Sequence, residues 1–136
     1  MTTEGFLLDT CAMIWIAEGK QFSGEMRELI EAERPHFHVS SMTAWELGLL
    51  ISKGRIPATV TAQQWFEQFL ETSGATLLEP TVEILIAASF LPQPVHNDPA
   101  DRILIATARA HGLTIITGDR AILAYGAAGH VKTLAC

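Results

Sequence analysis

The sequence predicts an α/β layered fold built on a central, mainly parallel sheet of four to five strands. The leading observation is alternation: short β-rich apolar runs trade places with stretches of helical periodicity along the whole chain. A second is that no internal repeat and no low-complexity linker breaks that alternation. The third is length, since 136 residues suit a single domain over positions 1–136 that can bury a substantial core.

Each element has its own signal. Gly5 to Leu8 is a short apolar run that stops at Asp9-Thr10 and reads as a buried first strand. Residues 11–18 follow as a helix, and 23–33 carry Met26, Leu29 and Ile30 at helical spacing among charges. Arg34-Pro35 ends that helix, because the residue before a proline avoids helical backbone. HFHVS (36–40) alternates and is β-rich, which makes a second strand. Ser41 to about Lys53 is helical again, with Trp45, Leu49 and Ser52 on one side and Gly54 as the stop. A helix over 61–72, a short strand at Ala75–Leu78 and a helix over 80–90 lead to the break LPQP. Asp98 to His111 forms a helix closed by Gly112, and LTIIT (113–117) is the most strand-like run in the chain. Gly118-Asp119 leads into a short helix through Leu123, and Val131–Leu134 makes a last edge strand.

Composition narrows the function classes. Hydrophobic residues make up 49% and charged residues 18%, which argues against disorder. The apolar stretches are too short and too interrupted for a membrane span. MTTEGFLLDTCAMIWIAEG has no basic n-region, and Asp9 breaks its apolar run, so it reads as a poor signal peptide. Cys11 and Cys136 lie far apart and form neither a disulfide framework nor a CxxC metal motif, so a reduced, cytoplasmic compartment is expected. A net charge of −6 counts against passive nucleic-acid binding, which needs a basic footprint. It is compatible with an enzyme that gathers acidic residues around a divalent cation, since the cation reverses the local sign.

The aspartates are placed differently from the glutamates. Most of the eleven Glu fall on polar helix faces, whereas the four Asp, at 9, 98, 101 and 119, all sit beside a strand end or a helix start. In an open parallel sheet, ligands bind beyond the carboxyl ends of the strands. Asp9 and Asp119 follow two strands directly, and Asp101 lies in the first turn of the helix that feeds the LTIIT strand. Glu46 falls early in the helix after the second strand, on the same side. Four carboxylates brought together repel unless a cation intervenes, and an all-oxygen set suits Mg²⁺ or Mn²⁺ better than zinc. Such an ion can align a phosphodiester, activate a water and stabilise the leaving oxygen.

Local structure offers competing explanations. Asp98-Pro99 is the expected pairing of an N-cap with an N1 proline, which also puts Asp101 at N3, where a negative charge suits the helix dipole. Asp119 after Gly118 fits a turn or a helix cap, and Glu46 fits a capping box with Thr43. Asp9, inside an apolar run, needs a partner in any reading. Spacing alone leaves the metal site and the local explanations balanced, except that Asp98 is better read as a cap.

LLDTCAMIW (7–15), SSMTAWELGLLISKGRI (40–56) and HNDPADRILIATARAHGLTIITGDRAILAY (96–125) together resemble the PIN-domain family, specifically the VapC-type toxins of bacterial toxin–antitoxin systems. The resemblance runs from about residue 5 to the C-terminus. It implies a three-layer α/β/α sandwich, PIN-like, and an endoribonuclease that binds Mg²⁺ or Mn²⁺ through Asp9, Glu46, Asp101 and Asp119. Thr10 and Thr117 match positions whose hydroxyls support those carboxylates or a metal-bound water, and Asp98 is common in the subgroup without being one of the four. Position 11, often His in similar toxins, is Cys here and is expected to pack in the core.

The resemblance also implies partners: a homodimer, a VapB-type antitoxin whose segment covers the active site, and an RNA substrate of the tRNA or rRNA class. DNA binding is expected of the antitoxin, not of this chain. Trp15, Trp45, Trp65, Phe66 and Phe69 are candidates for an apolar groove or dimer face, though Trp45 and Phe69 are better read as core. Arg102, Arg109 and Arg120, with Lys53 and Arg55, are the basic residues nearest the expected site, and Arg102 is equally a partner for a site carboxylate. His96 lies near the site, whereas His36, His38, His111 and His130 read as structural or surface residues. A non-catalytic PIN-like binding module is the alternative. A receiver-like or nucleotide-binding domain ranks lower, because no Gly-rich phosphate loop follows the first strand.

Overall fold

The structure, a computed structural model, describes residues 5–20, 22, 24–33 and 36–136. In chain order the elements are β1 (Gly5–Leu8), α1 (Thr10–Ala17), α2 (Gly24–Glu33), β2 (His36–Ser40), α3 (Ser41–Ser52) and α4 (Ala62–Ser73). They continue with β3 (Thr76–Leu78), α5 (Val82–Ala87), α6 (Pro99–His111), β4 (Thr114–Thr117), α7 (Arg120–Ala127) and β5 (Lys132–Ala135). All strand pairs are parallel, in the order β3-β2-β1-β4-β5. The chain works outward from β1 to β3, then returns to lay β4 against the other side of β1. That reversal opens a crevice beyond the carboxyl ends of β1 and β4.

Side-chain alternation along the central strands builds the two helical layers. Leu7 of β1 and Ile115 of β4 point to one face, where Ile84, Ile105 and Ile122 from α5, α6 and α7 cover them. Phe6, Leu8 and Ile116 point to the other, under Met13, Met26, Leu47 and Phe66 from α1 to α4. Both faces of β1 and β4 are therefore dry, as expected for parallel strands that read as continuous apolar runs. Each large aliphatic buried this way contributes about 1.5–3 kcal/mol.

The helix ends follow local chemistry. Asp98 accepts from the Asp101 N–H at 3.1 Å with Pro99 behind it, and Gly112 closes α6 at φ 66°, a left-handed conformation that costs glycine nothing. Thr61 and Gln64 form a capping box on α4. In α7, Gly126 lies so close to β5 that a Cβ there would collide with the Thr133 side chain. The helix expected to run only through Leu123 extends to Ala127, and its glycine lies against the sheet.

Other expectations need correction. Trp45 is 58% exposed rather than core, because Thr43 and Leu47 hold the buried face of α3 and Trp45 is turned well away from Thr43. Cys11 is exposed as well, since Ala12 and Met13 take the inward positions of α1. Phe69 is buried as expected. The aromatics do not form one surface: Trp65 and Phe69 line a cleft with Ile16 and Ala17, whereas Trp45 borders a separate hollow with Pro80 and Leu85. Helix 80–90 shrinks to α5, capped by Thr81. The helix stop at Arg34-Pro35 lies outside the described residues.

Candidate metal centre

The crevice beyond β1 and β4 is lined with oxygen. Asp9 leaves the end of β1 and turns back as the N-cap of α1, its Oδ1 accepting from the Ala12 N–H at 2.7 Å. Its other oxygen accepts from the hydroxyl of Thr117, the fully buried last residue of β4. The same Thr117 oxygen accepts from the Asp119 N–H at 2.9 Å, and Asp119 caps α7 through Ala121. Across the crevice, Thr10 donates to Glu46 Oε1 at 2.8 Å. Two threonines that each follow or end a central strand thus fix one carboxylate apiece.

Asp101, in the first turn of α6, accepts from His96 Nε2 at 2.9 Å. Ligand-type atoms of His96, Asp101 and Asp119 all lie within 4.8 Å of one another, the one such grouping of three or more among the described residues. Asp9 and Glu46 share the rim with that trio without being part of it. Asp98 stays on the outside of the turn as the cap of α6. Glu46 does not form a box with Thr43: Ser40 caps α3 instead, which leaves the Glu46 carboxylate free to reach Thr10.

The electrostatics show what this gathering costs. Burial pushes the Asp9 carboxyl up, its bonds from Thr117 and Ala12 pull it back, and the charge of Asp119 raises it further. Burial also raises Glu46, against the Thr10 bond and with help from Asp98 and Asp9. Asp101 is raised from 3.8 to about 6, first by burial, then by Asp98 and Asp119, with His96 opposing. The Cys11 thiol is raised by burial and then by Asp9, Glu46, Asp119 and Asp101 together, so one point on the rim feels all four carboxylates. Repulsion of this kind is what a divalent cation relieves, and a set rich in carboxylate oxygens suits a hard one.

The pattern of the PIN domain matches residues 6–127. The chain belongs to the PIN-domain family. This PIN domain is 33% identical over 121 residues to Ribonuclease VapC22 of Mycobacterium tuberculosis, which covers 88% of the chain and 89% of that relative. Among solved structures it resembles VapBC2 from Rickettsia felis bound to a promoter DNA fragment, with a TM-score of 0.68, 15% identity and coverage of 96% and 97% of the two chains. A toxin–antitoxin complex from Klebsiella pneumoniae matches with a TM-score of 0.59 at 23% identity, over 85% and 87%. At these identities the two structures establish likeness of fold.

The basic residues fall differently from the expectation. Among the described residues Arg102 pairs with no carboxylate: its guanidinium donates to the carbonyls of Ala88 (2.9 Å) and Ser89, tying α6 to the end of α5. Arg109 donates to the His130 carbonyl. Arg120 is exposed one residue beyond Asp119. Sequence reasoning placed His96 nearby but gave it no task. The available signal was its position two residues before the cap Asp98, which lets the segment entering α6 fold back over the helix's first turn. A hollow of about 950 Å³ between α2, α6, α7 and β5 takes in none of these acidic residues.

Proposed function

We propose that this PIN domain is a metal-dependent endoribonuclease and the toxin of a toxin–antitoxin pair. The reading is carried by the placement of Asp9, Glu46, Asp101 and Asp119 on four separate elements near the carboxyl ends of β1 and β4, and by the raised carboxyls of Asp9, Glu46 and Asp101. Those four residues would hold Mg²⁺ or Mn²⁺. When bound, such an ion lowers the pKa of a coordinated water and stabilises the oxygen that leaves phosphorus.

The chain's own residues prepare that chemistry. Thr117 holds Asp9 and the start of α7 at once, so the two carboxylates that follow the central strands share one anchor. Thr10 keeps Glu46 turned inward. The raised carboxyls of Asp9, Glu46 and Asp101 would be pulled back down by a bound cation, so metal uptake would be coupled to their ionisation. Arg120, exposed one residue beyond Asp119, is the cation this reading assigns to an RNA phosphate, while Arg102 and Arg109 serve the scaffold.

Two partners belong to the reading. A VapB-type antitoxin is supported by the toxin–antitoxin complexes among the structural neighbours, and the cleft of Ile16, Ala17, Trp65 and Phe69 suits an apolar antitoxin side chain. A homodimer is supported by the exposed apolar residues of α3 and α5: Trp45, Val82, Ile86 and, just beyond α5, Phe90, which is 81% exposed. Replacing Trp45 and Phe90 together with Glu should shift the chain to monomer in light scattering.

The activity is tested with purified, antitoxin-free protein on total tRNA and rRNA with Mn²⁺ or Mg²⁺. Cleavage that stops with a chelator and is lost in Asp9→Asn is expected. No cleavage together with no calorimetric metal binding would instead favour a PIN-like module that pairs with a partner without cutting.

A further inference from the structure

The tightest cluster on the rim contains a nitrogen. His96 lies in the segment entering α6, its side chain 24% exposed and that of Asp101 19% exposed, with Nε2 and Oδ2 2.9 Å apart. That separation suits a hydrogen bond, and it also suits two neighbouring ligands of one ion. Two ligand atoms at about 2.1 Å from a metal and at right angles stand about 3 Å apart. Asp119 brings a third ligand atom within 4.8 Å of both. The imidazole therefore meets a carboxylate along the edge that an ion would bridge.

We propose that His96 is a nitrogen ligand of this centre and that, with Asp101 and Asp119, it makes the site select Mn²⁺ over Mg²⁺. The proposal rests on the metal-centre reading above and goes beyond it in ligand and in selectivity. Magnesium strongly prefers oxygen and holds its waters, whereas first-row transition ions accept imidazole readily. An all-carboxylate rim would discriminate weakly between the two ions. One imidazole in the coordination sphere tilts the site toward Mn²⁺. The competing role for His96 is that of a positioning residue, which orients Asp101 through the hydrogen bond and never touches the ion.

Pulsed EPR of the full chain loaded with MnCl₂ distinguishes these roles. A ligated imidazole gives ¹⁴N hyperfine coupling, which a residue acting only through Asp101 does not. The coupling is expected in the wild type and absent from His96→Gln, whose amide reaches to about the position of Nε2 and keeps a donor for Asp101. In calorimetry with MnCl₂ and MgCl₂, His96→Gln is expected to lower the Mn²⁺-over-Mg²⁺ affinity ratio by about tenfold, with an unchanged melting temperature. Wild-type protein that binds Mn²⁺ without nitrogen coupling, or a variant that keeps the ratio, overturns the proposal and leaves the metal centre standing. Wild-type protein that binds neither ion overturns both.

Discussion

The two sides of the crevice are built on different terms. On the side of Asp9 and Glu46, each carboxylate already has a hydroxyl partner, Asp9 also has a backbone N–H, and Asp9 and Thr117 are buried. On the side of Asp101 and Asp119, two carboxylates crowd one imidazole, and Asp101 is the more strained toward protonation, at about 6. The first side is tied into the scaffold at both carboxylates, whether or not an ion is present: Asp9 caps α1 and binds β4 through Thr117, and Glu46 ties α3 to α1 through Thr10, whereas on the second side only Asp119 caps a helix. The second is tuned for something that arrives. One sheet end thus combines a rigid half that sets position with a charged half that supplies the demand for a cation.

The sharpest way to break this comparison is to neutralise one carboxylate of the charged half. Asp101→Asn should reduce metal-dependent RNA cleavage by about a hundredfold or more, since a lost ligand forfeits several kcal/mol of transition-state stabilisation. The same change should leave the chelated protein more stable at neutral pH, because it removes a part-buried charge that the His96 bond relieves only in part. Kinetics with Mn²⁺ and melting in EDTA test the two halves of that statement. An inactive but destabilised variant would place Asp101 in the scaffold instead.

Thr117→Val probes the rigid half. The isosteric change leaves Asp9 and the Asp119 N–H without their shared hydroxyl, at a cost of about 1–3 kcal/mol in folding. Because Asp9 is then poorly held, Mn²⁺ affinity should fall by about tenfold or more. Urea unfolding and metal titration should therefore move together, unlike in Asp101→Asn, where they part. A Thr117→Val protein with wild-type stability contradicts the idea that this hydroxyl joins the two strand ends.

The pH dependence follows from the same asymmetry. Between 3.8 and about 6 the folded, metal-free chain holds a proton on Asp101 that the unfolded chain has released. Stability contributed by this group is thus greatest below that window, falls as pH rises through it and stays lower above. Asp9 and Glu46, also raised, act in the same direction. Melting curves in EDTA should show a steeper decline across the window for wild type than for Asp101→Asn. Parallel curves would mean that the crowding has been misjudged.

What was legible in the sequence depended on how local its cause is. The order of elements and the parallel sheet could be read because apolar runs such as FLL and TIIT admit little besides a strand buried on both faces. The Asp98-Pro99 start and Gly112 stop of α6 could be read for the same reason. Trp45 could not: its helix has apolar residues on more than one face, and only tertiary packing decides which face meets the sheet. Cys11 was misplaced by a single helical position for that reason. The bond from Thr10 to Glu46 and that from Thr117 to Asp9 span 36 and 108 residues, so no spacing rule reaches them. The likeness to a known family supplied those threonines, and periodicity alone did not.

The mildest test separates the two aspartates that open α6. Asp98 accepts the Asp101 N–H, yet its charge also raises both Asp101 and Glu46. Serine caps a helix about as well as aspartate, so Asp98→Ser should change stability by no more than about 0.5 kcal/mol. Removing the negative charge should let Asp101 deprotonate more easily, which favours the ion, while weakening the overall pull on it. These effects oppose each other, and Mn²⁺ affinity is expected to move by no more than about threefold, equivalent to roughly 0.7 kcal/mol. Calorimetry on Asp98→Ser beside Asp101→Asn makes the comparison direct. If Asp98→Ser loses the metal as completely as its neighbour, Asp98 is a ligand and the charged half of the crevice has one more member than the geometry assigns to it.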